Sequence, residues 1–371
     1  MRSPRWPSIT RSRGARLGTL SALLACGLLL AMVQPAAAAT TRVVMSGLDN
    51  PRGLAFGPEG ALYVAEAGRG GTGPCTFSIR PFEPGQPFCY GPSGAVSRLW
   101  RGVQERVVTG LPSYANAFGQ ATGPHDIAMR GRGRARVSIG WGTNPLLRDQ
   151  LGPPWTSFDW LARVDASGSW RLKVDVGAYE AAANPDGGPV DSNPYGLLAQ
   201  PRRVVVAEAG GNALLDVRSN GSISTIATFP SLPQGRPTDA VPTAVTLGPD
   251  GAYYVGELTG VPFAAGAANV YRVVPGQAQT VAYRGFTTII DLTFGPDGSL
   301  YVLEHSTGSS GPPFFQLPGR LVKVAPDGTR TTVIDGLTRP GSVAVGPHGA
   351  LYVSNRSTST GTGEVLRIEP R

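Results

Sequence analysis

"FGPDGSLYVLEH" (Phe294–His305) reads as a turn followed by a short apolar run that ends on a carboxylate. Similar segments are "FGPEGALYVAE" (Phe56–Glu66), "LGPDGAYYVGE" (Leu247–Glu257) and "VGPHGALYVSN" (Val345–Asn355). In such a segment proline fixes φ in a tight turn, and glycine supplies the left-handed residue that closes a hairpin. The repeated segment therefore predicts pairs of antiparallel strands joined by Gly-Pro turns.

The spacing of the repeat predicts a β-propeller. The last three Gly-Pro turns begin 47 and 51 residues apart, which is typical of propeller blades. Two degraded copies, Met129–Gly140 and Ala199–Glu208, raise the number of units to six. The apolar second strands are expected where neighbouring blades cover both faces of a sheet. We therefore predict an all-β fold in which residues 40–371 form a single six-bladed β-propeller domain.

The two ends of the chain predict how the ring closes. The sixth unit stops after its third strand, "GEVLRIEP" (Gly363–Pro370). The segment "TTRVVMSGL" (Thr40–Leu48) matches the missing fourth strand. Pairing this N-terminal strand into the last blade would remove an open sheet edge.

Residues 1–39 predict a secretion signal peptide. A basic start precedes the apolar run Leu17–Val33, and small residues follow it, with cleavage expected after Ala39. The apolar run is short for a membrane span, and no later segment approaches that length. We predict a secreted protein, extracellular or periplasmic, without a transmembrane segment. "LLAC" (Leu23–Cys26) leaves open the alternative of a lipoprotein anchored through Cys26.

Charge and cysteine content narrow the classes of partner. The formal net charge is +8, but removal of the signal peptide leaves 28 basic against 25 acidic residues. That balance gives no case for nucleic-acid binding. Cys75 and Cys89 remain, and an even pair in an exported protein predicts a disulfide, here closing a 15-residue loop.

Polar side chains recur where the second strands end. In a propeller the second strand returns to the face at which the first strand starts, so these side chains should share one face. They are Glu66, Glu208, Glu257, Glu304 and Asn355, with Gly140 at the equivalent position of the second unit. The starts of the first strands and the residue after Glu304 add His125, Asp126, Tyr195, Asp291 and His305. We predict that these residues form a ligand-binding site on the propeller axis.

Long connections are expected on the same face, at 67–94, 141–160, 258–268 and 305–318. Long loops on one rim of a rigid scaffold are where binding sites usually lie. Their aromatic residues are predicted to wall a pocket for an apolar or aromatic ligand: Trp141, Trp155, Trp160, Phe263, Phe314 and Phe315.

The repeated carboxylates have two interpretations. Two carboxylates about 8 Å apart repel by roughly 2 kcal/mol at an effective dielectric constant near 20, so a ring of them needs a compensating group. A divalent cation such as Ca²⁺ would suit such a ring of oxygens. Alternatively, each glutamate caps backbone amides of the neighbouring blade or pairs with Arg52, Arg339 or Arg356. Repetition in nearly every unit favours this second role, because a catalytic site needs only one or two special copies.

Three longer segments carry a family resemblance: "DSNPYGLLA" with "VAEAGGNALLDV", "VPTAVTLGPDGAYYVGELTGVPF", and "IIDLTFGPDGSLYVLE". They resemble the ScyD/ScyE family of exported propellers related to NHL repeats, and the resemblance runs from about Val43 to the C-terminus. It implies the propeller fold and export. It carries over no catalytic residues.

Three functions follow as hypotheses. The first is a monomeric binding propeller that holds a small molecule, a glycan or a partner protein at the looped face. The second is a metal-dependent hydrolase similar to gluconolactonase-type propellers, with a divalent cation on the axis; the first unit lacks the Glu-Gly-Pro start usual in those enzymes. The third is a scaffold without a small-molecule site. No metalloprotease motif, phosphate-binding loop or nucleophile elbow is present.

Overall fold

The computed structural model describes residues 40–77, 86–234, 236–309, 311 and 314–369, with the backbone alone at 232–234 and 236–237. The predicted signal peptide and Cys26 lie outside the described residues. No helix among the described residues is both long and apolar enough to cross a membrane.

Six antiparallel sheets of four to six strands in the described chain are arranged as a six-bladed β-propeller, which confirms the predicted fold, and a two-stranded hairpin forms a seventh sheet. Consecutive strands of a blade pair in chain order, so the first strand of each blade lies at the axis and the later strands lie outside it. The first strands of neighbouring blades contact one another around the ring.

The N-terminal strand and the first three blades have the following bounds. Strand β1 is Thr40–Leu48. Blade 1 contains β2 (Pro51–Phe56), β3 (Leu62–Glu66), β4 (Cys75–Phe77), β5 (Pro87–Trp100), β6 (Val103–Ala115) and β7 (Ala121–Thr122). Blade 2 contains β8 (Pro124–Gly131), β9 (Arg134–Ile139), β10 (Trp160–Val164) and β11 (Trp170–Asp175), with helix α1 (Pro145–Leu151) and a 3₁₀ turn (Trp155–Ser157) after β9. Helix α2 (Val176–Ala183) leads to blade 3, which contains β12 (Pro194–Gln200), β13 (Arg203–Glu208), β14 (Ala213–Arg218) and β15 (Ile223–Thr228).

The second half of the ring repeats the four-stranded plan with fewer additions. A hairpin of β16 (Leu232–Gln234) and β17 (Arg236–Thr238) precedes blade 4. Blade 4 contains β18 (Pro242–Leu247), β19 (Tyr253–Glu257), β20 (Ala268–Val273) and β21 (Thr280–Phe286). Blade 5 contains β22 (Ile289–Phe294), β23 (Leu300–Glu304), β24 (Gly319–Val324) and β25 (Arg330–Leu337). Blade 6 contains β26 (Ser342–Val345), a 3₁₀ turn (Pro347–Gly349), β27 (Leu351–Asn355) and β28 (Gly363–Glu369).

The ring closes as the sequence predicts. Strand β1 pairs antiparallel with β28, with Val43 opposite Leu366 and Met45 opposite Val365. Met45 and Leu48 are both 1% exposed, so the N-terminal strand contributes core side chains as well as backbone hydrogen bonds. The last blade is therefore built from both ends of the described chain.

The hydrophobic core lies between the blades. All five residues of the second strands β3 and β23 are buried, as expected for sheets covered on both faces. Between blades 2 and 3, for example, Leu161 packs in one cluster with Val204 and Val217. Burying such a side chain stabilises the fold by roughly 1.5–3 kcal/mol, so the stacked blades hold one another in place.

Cys75 and Cys89 form the predicted disulfide on the long extension of blade 1. The prediction that Trp141 and Trp155 wall a pocket is wrong. They are 0% and 3% exposed, and their rings lie 5.5 and 6.1 Å from that of Tyr114 in a core cluster. The loop after β9, which contains α1, buries the indoles of Trp141 and Trp155. Trp160 lies in strand β10, and its Nε1 donates to the Thr156 carbonyl.

Candidate binding site at the propeller axis

The side chains that end the second strands fasten the connection entering their own blade. The carboxylate of Glu66 accepts the backbone N–H of Asp49 at 2.7 Å, and that of Glu304 accepts the N–H of Thr287 at 2.7 Å. Glu208 accepts the N–H of Asn193 in the same way. All three glutamates are at most 1% exposed. These buried acceptors join each blade to the connection from the blade before it.

Asn355 and Glu257 also end second strands, but only Asn355 binds the connection that enters its own blade. The Oδ1 atom of Asn355 accepts the backbone N–H of Thr338 at 2.8 Å, again in the connection that enters the same blade. Glu257 instead accepts the N–H of Asn269 at 2.7 Å, on the third strand of blade 4. Burial raises the pKa of Glu257 to about 7 although the Asn269 donors oppose the shift. Burial likewise raises the pKa of Glu208 to about 8.

The arginine partners of the glutamates differ from those predicted. Glu66 pairs with Arg106 at 2.7 Å, and Glu304 pairs with Arg320. Arg320 lies directly opposite Glu304 in the strand register, which explains the pairing. The predicted ion pairs of these glutamates with Arg52, Arg339 or Arg356 are therefore wrong, because strands of the same blade supply a nearer guanidinium.

A shared cation does not fit the second-strand carboxylates. Each of these carboxylates already accepts at least one backbone N–H within its own blade or the connection that enters it. Within the described ranges, no group of three His, Cys, Asp or Glu side chains is positioned to hold a metal ion. The glutamates are thus fastened in separate places rather than gathered around one ion.

In blade 2 the second strand is followed by glycine instead of ending on glutamate, and the reason is steric. A Cβ atom on Gly140, where other blades carry glutamate, would lie 2.1 Å from Cε1 of His125. The His125 imidazole is 4% exposed and packs against the Tyr195 ring with centroids 4.5 Å apart. His125 therefore fills the space that the second-strand glutamate occupies elsewhere, and it directs a ring toward the axial residue Tyr195.

Two aspartates link the inner strands around the axis. Asp126 on blade 2 accepts the backbone N–H of Leu197 on blade 3 at 2.7 Å, and Asp291 on blade 5 accepts that of Val343 on blade 6 at 2.9 Å. A Cβ on Gly53 of blade 1 would lie 1.9 Å from Oδ1 of Asp126. The Asp126 side chain therefore lies against the inner strands of both neighbouring blades.

The charged residues at the axis affect one another's pKa values. Burial, followed by the charge of Asp291, raises the pKa of Asp126 well above its usual range. Burial raises the pKa of Asp291 to about 6. Burial also raises the pKa of Tyr195, with the nearby charge of Arg52 opposing the shift and those of Asp126 and Asp291 adding to it. Side chains from blades 1, 2, 3 and 5 thus lie close enough together at the axis for the charge of one to affect the pKa of another.

Arg52 brings hydrogen-bond donors to this place. Its Nη2 donates to the Ala121 carbonyl at 3.2 Å. Its Nε is buried and has no acceptor within hydrogen-bonding distance among the described residues. A buried guanidinium donor without an acceptor is costly unless something else supplies one.

His305 lies near the same guanidinium and is neutral. Its Nδ1 is 2.8 Å from the Pro340 carbonyl, so Nδ1 carries the proton and Nε2 is left as an acceptor. Burial lowers the pKa of His305 to about 4 despite that carbonyl, and the charges of Arg52 and Arg339 lower it further. The imidazole is therefore an uncharged acceptor near neutral pH.

An aromatic cluster adjoins His305. The Phe315 ring stands edge-on to the His305 ring at 5.0 Å, and Phe263 packs against Phe315 at 4.5 Å and against Phe314 at 5.1 Å. Arg339 Nε donates to the Phe315 carbonyl at 3.3 Å. The loops of blades 4 and 5 therefore bring three of the predicted wall residues together next to an axial histidine.

A separate cleft of about 270 Å³ opens between blades 1 and 2, lined by Tyr63, Met129, Val164 and their neighbours. None of the predicted site residues lines it. Its lining is about as polar as it is apolar and includes Arg98, Glu105 and Asp165. The axial group differs in that its side chains come from several blades around the ring, and it is therefore the stronger candidate for specific recognition.

Comparison with known proteins supports the fold. No protein-family model and no curated protein matches the sequence. A solved structure described as a putative gluconolactonase is similar, with a TM-score of 0.52, 11% identity and coverage of 91% of this chain and 94% of that chain. A protein of unknown function from Bacteroides thetaiotaomicron has a TM-score of 0.50 and 13% identity over 90% of this chain and 76% of that one. The likeness shows that the architecture is shared with such proteins, and at these identities it shows the fold alone.

Proposed function

We propose that the protein is an exported binding propeller, similar to the ScyD/ScyE family, whose axial opening holds a small organic anion with an apolar or aromatic ring. The observation that carries the proposal is the Arg52 guanidinium, which has a buried donor without an acceptor and lies near both Tyr195 and His305. The residues around it supply positive charge for the anionic group of such a ligand and aromatic rings for its apolar body.

The charge at the opening favours an anion. Two guanidinium groups, those of Arg52 and Arg339, act on His305, which is itself neutral. Burial raises the pKa of Asp126 and so disfavours its negative charge. Arginine binds carboxylate and phosphate groups through charge-assisted hydrogen bonds, each contributing about 1.5–3 kcal/mol when water is excluded. An acceptor on the ligand would also satisfy the Arg52 Nε.

The rings at the opening favour an aromatic or apolar body. Phe263 and Phe315 come from separate loops, and the His305 ring lies perpendicular to that of Phe315. Aromatic pairs at such spacings add about 0.5–1.5 kcal/mol beyond the burial of their surface. A ligand ring placed against this cluster would leave its anionic group within reach of the arginines.

Calorimetric titration with para-iodobenzoate tests the proposal. We expect binding by the native protein and about tenfold weaker binding by Arg52→Met, since the variant loses a charge-assisted hydrogen bond. Arg272→Met, which removes an exposed guanidinium paired with Asp250, is the matched control and should bind as the native protein does. Equal affinity of the native protein and Arg52→Met, or tighter binding of the cation benzamidine, would refute the anion-binding role.

A hydrolase is the second candidate, favoured by the opposite pKa shifts of two axial groups. Asp126 is a carboxyl group whose pKa is raised, and His305 is an imidazole whose pKa is lowered. A raised carboxyl pKa favours the protonated acid and a lowered imidazole pKa favours the unprotonated base, and acid–base catalysis needs one group of each kind. The hydrolase would be established if the native protein hydrolysed a lactone and both Asp126→Asn and His305→Gln lost this activity while still binding para-iodobenzoate. If the native protein showed no turnover, binding would remain the function.

A further inference from the structure

Blade 2 carries a row of like charges in cross-strand register. Arg163 lies directly opposite Arg136 on one neighbouring strand and opposite Arg171 on the other. No described acidic side chain forms an ion pair with any of the three. Burial and the charges of Arg163, Arg130 and Arg171 lower the pKa of Arg136. Like charges placed directly opposite one another destabilise a sheet, so the row weakens the fold unless an anion covers it.

Blade 3 presents a second pair of arginines to the same surface. Arg203 and Arg218 are cross-strand partners at one end of this blade. Asp216 is the acid that both approach, at 3.2 Å from Arg203 and 3.6 Å from Arg218. Two guanidinium groups thus share one carboxylate, and a positive charge remains.

A groove between blades 2 and 3 connects these arginines. Its floor is apolar and includes Leu161, Val174 and Val217. Arg130 crosses it from blade 2 and donates from Nη1 to the Arg203 carbonyl at 2.7 Å. We call this surface the basic groove and define it by Arg130, Arg136, Arg203 and Arg218, which line the groove, together with Arg163 and Arg171, which adjoin Arg136 in the strand register.

The charge of the basic groove is local. The whole chain has 33 basic and 25 acidic residues, and five of the basic residues lie in the predicted signal peptide. Six arginines with two acidic neighbours, Asp216 and Asp165, on one pair of blades therefore concentrate positive charge far above the average of the chain. Such a concentration attracts polyanions even when the net charge of the protein is modest.

We propose that the basic groove binds an acidic polysaccharide that carries phosphate or sulfate groups. Neighbouring strands lie about 4.8 Å apart, so three cross-strand arginines span roughly 10 Å and can meet successive groups of a polymer. The guanidinium fork binds such oxyanions through two parallel hydrogen bonds. None of the described residues lining the groove is aromatic, and single-stranded nucleic acids are bound largely by stacking on aromatic side chains. The polysaccharide is therefore the better match.

The test compares two double variants of equal net charge. Arg163→Glu with Arg171→Glu reverses two exposed arginines of the groove, whereas Arg42→Glu with Arg284→Glu reverses two exposed arginines on other blades. Binding to dextran sulfate and to phosphomannan is measured by fluorescence anisotropy at several salt concentrations, with neutral dextran as the blank and thermal unfolding as the check on folding.

We expect the native protein to bind at least one of the two acidic polymers and not the blank, and the polymer that binds identifies sulfate or phosphate as the anion. The groove variant should bind about tenfold more weakly with a shallower salt dependence, and the control variant should stay within about twofold of the native protein. If both variants bound the polymers equally weakly, the effect would come from net charge alone, and the proposal would be overturned. Tighter binding of a thymidine oligonucleotide than of either polysaccharide, or no binding to either polymer, would overturn it as well.

Discussion

Replacing Glu304 with glutamine tests the role of the second-strand carboxylates. The Glu304 side chain is 0% exposed, and it accepts the Thr287 backbone N–H at 2.7 Å as well as donors of Arg320. Breaking a buried ion pair costs about 3–5 kcal/mol. Because Arg320 is 37% exposed and regains water when its partner is neutral, we expect about 3 kcal/mol, the lower end of that range.

The assay is equilibrium unfolding in urea, in calcium and again in EDTA. Glu105→Gln is the matched control, since Glu105 is 48% exposed and pairs with Arg98, and a surface pair contributes below about 1 kcal/mol. If the role of Glu304 is purely structural, the free energy of unfolding of each of the three proteins should be the same in calcium as in EDTA. If calcium stabilised the native protein and not Glu304→Gln, or if the variant unfolded like the control, the reasoning would fail.

Three further predictions concern pH, blade 2 and ring closure. Because burial raises the pKa of Glu208 to about 8, the native state holds a proton that the unfolded state lacks, and Glu208 should contribute about 1.5 kcal/mol to a fall in the free energy of unfolding from pH 6.5 to pH 8. Glu257, with a pKa of about 7, should add to the fall in the same window, whereas His305 acts in the opposite sense at lower pH, and urea titrations should show a flatter profile for Glu208→Gln. Gly140→Ala should lower the free energy of unfolding by about 1–3 kcal/mol through its contact with His125, and a change below about 0.5 kcal/mol would contradict the packing. Deleting residues 40–48 should expose the edge of β28 and give aggregates in size-exclusion chromatography, whereas a stable monomer would contradict closure by that strand.

The fold could be predicted from the sequence because a blade is a local unit. The Gly-Pro turn places a left-handed glycine at a fixed offset, and Gly60 and Gly298 have φ of +82° and +76° as expected. The strand Thr40–Leu48 could be assigned to the last blade because the sixth unit supplies only three strands of its own. Helix α2 and the β16–β17 hairpin were not predicted, since short insertions between blades carry no repeat.

The site could be predicted only in outline because strand position does not reveal which neighbour a side chain contacts. The sequence places Asp126 and Asp291 at the starts of inner strands, and the structure brings them to the axis. It does not reveal that Arg320 lies opposite Glu304, because the loop before the third strand varies in length and hides the register. The sequence did show that blade 2 has Gly140 in place of a glutamate and also contains His125, and this combination signalled its special geometry.

The most direct measurement of the central claim is a crystal structure of the protein soaked in para-iodobenzoate, in which iodine can be located by its anomalous scattering. The account predicts an anomalous peak against Phe263 and Phe315, with the carboxylate of the probe at hydrogen-bonding distance from Arg52. A peak confined to the cleft between blades 1 and 2, or no peak at the axis at saturating concentration, would contradict it.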